Sequence, residues 1–203
     1  MAYYRNIMSS LILYLQLLTK LYNIVGESSL AVQDFTAKLV LLGDGRVGKT
    51  SLCSHLCTQR IPGTYDLTVG LNIEVHETDL KGTSVKLVLW DLAGQQRFGC
   101  VRPGFYYGAR VALIVFDLQN RGSFFDVKHW IRELKDHSPN TPFILVGNKT
   151  DLQKREVSKE EAISLAQEFS VHYFETSALK GKNVEELFQL ATRIALQGTA
   201  VAY

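Results

Sequence analysis

Eight consecutive residues, Gly43-Asp44-Gly45-Arg46-Val47-Gly48-Lys49-Thr50, fit the pattern G-x-x-x-x-G-K-[ST]. An apolar run, Leu39-Val40-Leu41-Leu42, precedes them and reads as a buried strand, while Ser51 to Gln59 follows and reads as a helix. Strand, glycine loop and helix in that order give the pattern its physical meaning. Glycines let the backbone curl so that its N–H groups face an anion, and the helix N-terminus adds the positive end of its dipole. Lys49 supplies a mobile positive charge for the outer phosphates of a nucleotide, and the Thr50 hydroxyl suits a Mg²⁺ that bridges them. Asp44, Arg46, Val47 and Ser51 belong to the same phosphate-facing stretch. This motif points to a nucleotide without saying which one.

The 203 residues suffice for one domain with a real core plus an appendage. A net charge of +2 indicates no broad nucleic-acid footprint, so nucleic acid is not an expected partner. The three cysteines, Cys53, Cys57 and Cys100, form no C-x-x-C pair, and their odd number argues against a disulfide framework. That usage fits a reducing cytosol. Cys53 and Cys57 read as small buried filler, and the five scattered histidines show no metal-ligand spacing.

Along the chain, residues 1–37 differ in texture from the rest. Met1 to Val25 is rich in Leu, Ile and Tyr, and Gly26-Glu27-Ser28-Ser29 looks like a linker. Regular alternation begins near Lys38, which sets domain boundaries of 1–37 for an N-terminal extension, 38–197 for the main domain and 198–203 for a short tail. Val69 to Leu80 alternates apolar and polar residues, Lys81-Gly82 suits a turn, and Val85 to Trp90 returns as the second strand of an antiparallel hairpin. Asp91 to Phe98 is expected as loop and irregular helix. Val111 to Phe116 and Phe143 to Val146 read as strands covered on both faces. Ser123 is expected to cap a helix burying Val127, Trp130, Ile131 and Leu134. Ser158 and Glu161 form a capping box for a helix carrying Ile163, Leu165, Ala166 and Phe169. Val171 to Phe174 is expected as the last strand, and Asn183 and Glu186 as the start of a helix with Leu187, Leu190, Ala191 and Ile194 inward. Alternating strands and helices predict an α/β fold, a mostly parallel sheet with helices on both faces. Ligands of such a sheet bind at the carboxyl ends of the strands, where the glycine loop sits.

Two further motifs follow strands. Asn148-Lys149-Thr150-Asp151 comes after the Phe143 strand. Guanine shows two adjacent donors on one edge, which a carboxylate at Asp151 accepts as a paired fork; adenine presents an acceptor there instead. Such hydrogen-bonded sites reject the wrong partner strongly. Asn148 can tie neighbouring loops together, and the Lys149 stem can cover the base. Asp91-Leu92-Ala93-Gly94-Gln95 comes after the second hairpin strand. Asp91 can hold the water shell of Mg²⁺, Gly94 offers an unobstructed N–H to a γ-phosphate, and Gln95 can orient a water for in-line attack.

With these motifs the chain resembles the Ras superfamily of small GTPases over about Lys38 to Gln197. The resemblance implies a P-loop NTPase three-layer α/β/α sandwich with a six-stranded, mostly parallel sheet and one antiparallel strand. It also implies that Tyr65 and Thr68, in Tyr65-Asp66-Leu67-Thr68-Val69-Gly70, belong to the first switch loop, with Thr68 joining Thr50 and Asp91 around Mg²⁺. Ser177-Ala178-Leu179 matches the base-contacting fifth motif. Trp90-Asp91-x-Ala93-Gly94-Gln95-x-Arg97-Phe98 is a Rab-like phrase, and Phe105-Tyr106-Tyr107-Gly108-Ala109 resembles another at Tyr106, Gly108 and Ala109; Val69 to Glu74 leans toward Arf. Three departures stand out: Gln96 where Glu is usual, Leu179 where Lys is common, and Ile61 where an aromatic ring often meets guanine.

The expected function is a switch that binds GTP and GDP with Mg²⁺ and hydrolyses GTP through Gln95, in trafficking or signalling. Its expected partners are an exchange factor, a GTPase-activating protein and effectors at the switch loops. Arg46 is expected to face solvent, leaving no arginine in cis at the phosphates and a slow intrinsic rate. A GTP-binding scaffold with negligible hydrolysis and an ATP-using P-loop enzyme are the alternatives. The final Gly198-Thr199-Ala200-Val201-Ala202-Tyr203 carries no cysteine for prenylation, and Ala2 stands where N-myristoylation needs glycine. Residues 1–25 pattern as an amphipathic helix with a wide apolar face, which suggests a cytoplasmic protein held peripherally on a membrane. A helix packed on the domain's own surface, a start at Met8, a secretory signal or a membrane span are the other readings of that segment.

Overall fold

The computed structural model describes residues 35–59, 70–80, 82–94 and 102–197. The expected N-terminal helix, the C-terminal tail, Tyr65, Thr68 and Gln95 lie outside these residues. Six strands form one sheet: β1 (Phe35–Leu42), β2 (Leu71–Leu80), β3 (Thr83–Leu92), β4 (Val111–Asp117), β5 (Phe143–Asn148) and β6 (Tyr173–Thr176). Their order is β2-β3-β1-β4-β5-β6, with β2 and β3 antiparallel and every other pair parallel. The helices are α1 (Lys49–Thr58), α2 (Arg121–Phe125), α3 (Val127–His137), α4 (Lys159–Glu168) and α5 (Val184–Gln197). A 3-10 turn spans Arg102–Phe105.

The sheet is central because its middle strands carry no polar face. Every residue of β4 is buried, and Leu39 to Leu42 of β1 are all fully buried. On one face Leu39, Leu41, Leu87 and Leu113 join Leu52 and Cys53 of α1 and Leu187, Phe188 and Ala191 of α5 in one core. Side chains alternate along a strand, so Val40, Leu42 and Ile114 face the other way, toward the layer built by α3. There Val127, Trp130, Ile131 and Leu134 are buried at helical spacing, as their sequence pattern predicts. Truncating a buried side chain such as Phe188 to Ala costs about 3–5 kcal/mol in cores of this kind.

Strand order reverses direction at β1, which lies between β3 and β4. Its carboxyl end is therefore the crevice where an open parallel sheet receives a ligand, and the glycine loop begins there at Gly43.

Local expectations are corrected in several places. The helix after the loop starts at Lys49, not Ser51. Asp91 and Leu92 belong to β3, because pairing continues through Leu41↔Asp91 on one side and Leu71↔Leu92 on the other. Ser123 does not cap α3: it lies inside the short α2, which Asn120 caps, Asp126 stands at the start of α3, and the buried Ser123 hydroxyl accepts the Asp117 N–H at 3.0 Å. The last strand begins at Tyr173 rather than Val171. Val171 N–H donates to Ala166 O and Ser170 N–H to Gln167 O, with Ser170 at φ 55°, so Val171 closes the end of α4. Ile163 lies at the surface, and Ala162, Leu165 and Ala166 form the buried face of α4. Asn183, at φ 56°, sends its side chain to Glu175 O at 2.7 Å and ties α5 to β6. The Ser158–Glu161 capping box is present with both of its hydrogen bonds.

Candidate functional site

The loop from Gly43 to Gly48 joins β1 to α1, and its first and last glycines are where the sterics demand them. Gly43 sits at φ 132°, and a Cβ there would lie 2.0 Å from Val115 O. Gly48 sits at φ 100°, where a Cβ would lie 2.2 Å from the Asn148 side-chain nitrogen. Arg46 is exposed, also with positive φ, as its expected solvent orientation requires.

Lys49, the first residue of α1, folds back over this loop. Its Nζ donates to Gly43 O at 2.8 Å and Asp44 O at 2.7 Å. Burial pushes the ammonium down to about 8, with the Asp91 and Asp44 carboxylates acting in the opposite direction. Thr50 donates its hydroxyl to Asp91 Oδ2 at 2.5 Å, across the gap between α1 and β3. Gly94, two residues beyond β3, lies against the loop: a Cβ on it would come within 2.2 Å of Gly43 O. Any side chain at Gly94 would push these two backbones apart.

The second half of the crevice is built by Asn148. Its Nδ2 donates to Val47 O at 2.9 Å, while its Oδ1 accepts from Thr176 Oγ1 and from the Ala178 N–H, both at 3.1 Å. One buried amide thus joins the glycine loop, the end of β6 and the Ser177-Ala178-Leu179 turn. Ser177, itself buried, donates to Asp151 Oδ1 at 2.5 Å and fixes the rotation of that carboxylate. Lys149, at φ 73°, pairs with Asp117 Oδ2 at 2.6 Å. Between these groups lies a cavity of about 210 Å³, bounded by Gly48, Ser51, Lys149, Asp151, Ala178 and Leu179. Leu179 stands half-exposed at its rim.

Gly43, Gly45, Gly48, Lys49, Thr50, Asp91, Gly94, Asn148, Asp151 and Ser177 are thus gathered at the carboxyl ends of the strands. Residues 38–197 match the Ras family. The chain belongs to the Ras family. Among Ras-family relatives, it is 38% identical to Ras-related protein Rab-13 of Canis lupus familiaris over 162 residues, covering 79% of this chain and 80% of that protein. It is 38% identical to Ras-related protein Rab-8B of Homo sapiens over 157 residues, 76% of each. It is equally 38% identical to Ras-related protein Rab-8 of Diplobatis ommata. The family fold, a P-loop α/β sandwich with one antiparallel strand, is the one described above. The family binds GTP and GDP with Mg²⁺ and acts as a nucleotide-dependent switch. The Rab-like reading of Trp90 to Phe98 agrees with these relatives.

The oxygen donors fit the metal this family uses. A hydroxyl and a carboxylate, on Thr50 and Asp91, are the hard ligands that Mg²⁺ takes. Among the described residues, no group of three or more His, Cys, Asp or Glu could hold a metal ion by itself. No helix among the described residues is long and apolar enough to cross a membrane.

Sequence reasoning missed a buried polar group beside this crevice. Arg102, only 4% exposed, forks onto Glu133 at 2.7 and 2.8 Å, and Tyr106 donates its hydroxyl to the same carboxylate. The Arg102 guanidinium stacks 4.3 Å from the centre of the Trp130 ring, and the Trp130 indole donates to Asp44 Oδ1. No local pattern announces this group, because its members come from three separate segments.

Proposed function

We propose that this chain is a guanine-nucleotide switch that binds GTP and GDP with Mg²⁺, hydrolyses GTP slowly, and is read by partners in membrane trafficking. The observation that carries this reading is Asp151 clamped by Ser177 at the mouth of a cavity whose other wall is the glycine loop. A carboxylate held in one rotation is pre-organised to accept the two edge donors of guanine. The N–H groups of residues 45–50 and the Lys49 ammonium then hold the phosphates, and burial of Lys49 makes its charge count for more than it would in water.

Thr50, Asp91 and Thr68 hold the Mg²⁺, which neutralises charge on the outer phosphates when bound. Gly94 N–H and Thr68 meet the γ-phosphate and lose that contact once it leaves, so both switch loops relax. Tyr65 lies in the first of those loops. Gln95 orients the attacking water. Membership of the Ras family and likeness to its Rab members support the switch and its trafficking role, and the amphipathic pattern of residues 1–25 supports a peripheral membrane contact.

The test is single-turnover hydrolysis of labelled GTP and ATP, with and without Mg²⁺, on the wild type and on Gln95→Leu. GTP is expected to turn over slowly and only with Mg²⁺, ATP not at all. Partner-stimulated hydrolysis should fall by on the order of a hundredfold in Gln95→Leu. Equal use of ATP and GTP sinks the base assignment, and full activity of Gln95→Leu sinks the role of that glutamine.

A further inference from the structure

Residues 95–101 separate Gly94 from Arg102, yet Arg102 returns to the start of that stretch. Its Nη1 donates to Ala93 O at 3.3 Å in a buried environment. A peptide unit is planar and trans, so the Ala93 carbonyl and the Gly94 N–H belong to one rigid plate and point in opposite directions. A donor that grips the carbonyl therefore sets where the Gly94 N–H points. The preceding peptide is held too, since the Ala93 N–H donates to Gly70 O at 2.9 Å.

Arg102 is itself held firmly. Glu133 takes two of its donors in a parallel fork, Trp130 covers its face, and Tyr106 completes the carboxylate. Burial disfavours the Glu133 carboxylate, but the hydrogen bonds from Arg102 and Tyr106 outweigh it and hold the group below its ordinary range. The pair thus stays ionised and the guanidinium does not drift. Trp130 then joins this assembly to the glycine loop through Asp44, at 2.8 Å. Two backbones that must stay in register for a γ-phosphate, Gly94 and the Gly43–Asp44 step, are braced by one side-chain cluster.

We infer that Arg102 is a positioning residue that holds the Ala93–Gly94 peptide in the orientation needed to recognise a γ-phosphate, so that it sets the preference for GTP over GDP. The inference rests on the guanine-nucleotide reading above. Its signature is differential. GDP lacks the third phosphoryl group, so its contacts with the glycine loop, Lys49 and Asp151 do not depend on the Gly94 N–H.

The experiment measures affinities of the full chain for GDP and for a non-hydrolysable GTP analogue, both with Mg²⁺. Arg102→Lys keeps a charge beside Glu133 but cannot make the fork and reach Ala93 O together. A double replacement, Arg102→Met with Glu133→Leu, removes the pair without leaving a buried lone charge. Losing one buried hydrogen bond of this kind should weaken the analogue by roughly three- to tenfold, with GDP affinity kept. Thermal protection by GDP verifies that each variant is folded. An unchanged ratio in both variants overturns the inference, and so does a parallel loss for both nucleotides, which would make Arg102 only a structural support. If the wild type binds neither nucleotide, the guanine reading itself fails and takes this inference with it.

Discussion

The Trp130 indole donates to Asp44 Oδ1 at 2.8 Å, joining α3 to the glycine loop between residues 86 positions apart. Burial raises the Asp44 carboxyl above its ordinary range, and this hydrogen bond pulls it back. Trp130→Phe keeps most of the ring and removes the donor. We expect a loss of about 1 kcal/mol in urea unfolding, modest because water still reaches Asp44. Trp130 touches the glycine loop through Asp44, so its emission should also change when nucleotide binds, and Trp130→Phe should reduce that change.

Nucleotide binding should take up a proton on the alkaline side of neutrality. Burial lowers Lys49 to about 8, so above that value the ammonium of the free protein is largely neutral. Phosphates favour the charged form and restore it. Titration calorimetry at pH about 9, in buffers of different ionisation enthalpy, should show net uptake, and at pH about 6.5 almost none. Equal heats across buffers at the higher pH would contradict this.

Glu133 ties stability to pH from the acid side. Burial works against its carboxylate, yet the hydrogen bonds from Arg102 and Tyr106 hold it below its ordinary range. A depressed carboxyl stabilises the fold above its unfolded value, and that contribution disappears as pH falls through the folded one. Glu133→Gln should therefore be less stable than wild type at neutral pH by about 1–3 kcal/mol. The gap should narrow as melting is followed to pH values below the ordinary carboxylate range.

The proposed reading of the base by Asp151 is tested by a change of ligand. Asp151→Asn presents an amide donor in place of one acceptor, so GTP affinity should fall. Xanthosine triphosphate, with a carbonyl where guanine carries its amino group, should bind the variant better than GTP does. Competition binding with both nucleotides measures this, and an unchanged preference for GTP would remove Asp151 from the base.

Residues 1–25 make the last expectation. The full chain and residues 35–203, which keep all of β1, are each loaded with GDP or a GTP analogue and compared by liposome flotation. The full chain should float better, and more so with the analogue. Equal flotation of the two lengths would show that the segment is not an anchor.

The glycine loop, Asn148 to Asp151 and Asp91 to Gly94 are legible in the sequence because each is a short contiguous run. Their chemistry depends on backbone shape and on residue types a few positions apart, which local order specifies. The capping box at Ser158 and Glu161 is legible for the same reason. Pairing across the sheet is not. Asp91 reads as loop in isolation and is strand only because β1 and β2 flank β3. Val171 reads as strand and closes a helix, because Ser170 takes a left-handed turn that no apolar pattern reveals. Arg102, Glu133, Tyr106 and Trp130 read as ordinary surface or core positions. The fold packs α3 against β4 and the 3-10 turn, and only then does a buried arginine find a carboxylate, a ring and the Ala93 carbonyl within reach. Contacts between neighbours in sequence follow from local chain geometry, whereas those between distant segments depend on which strands lie side by side.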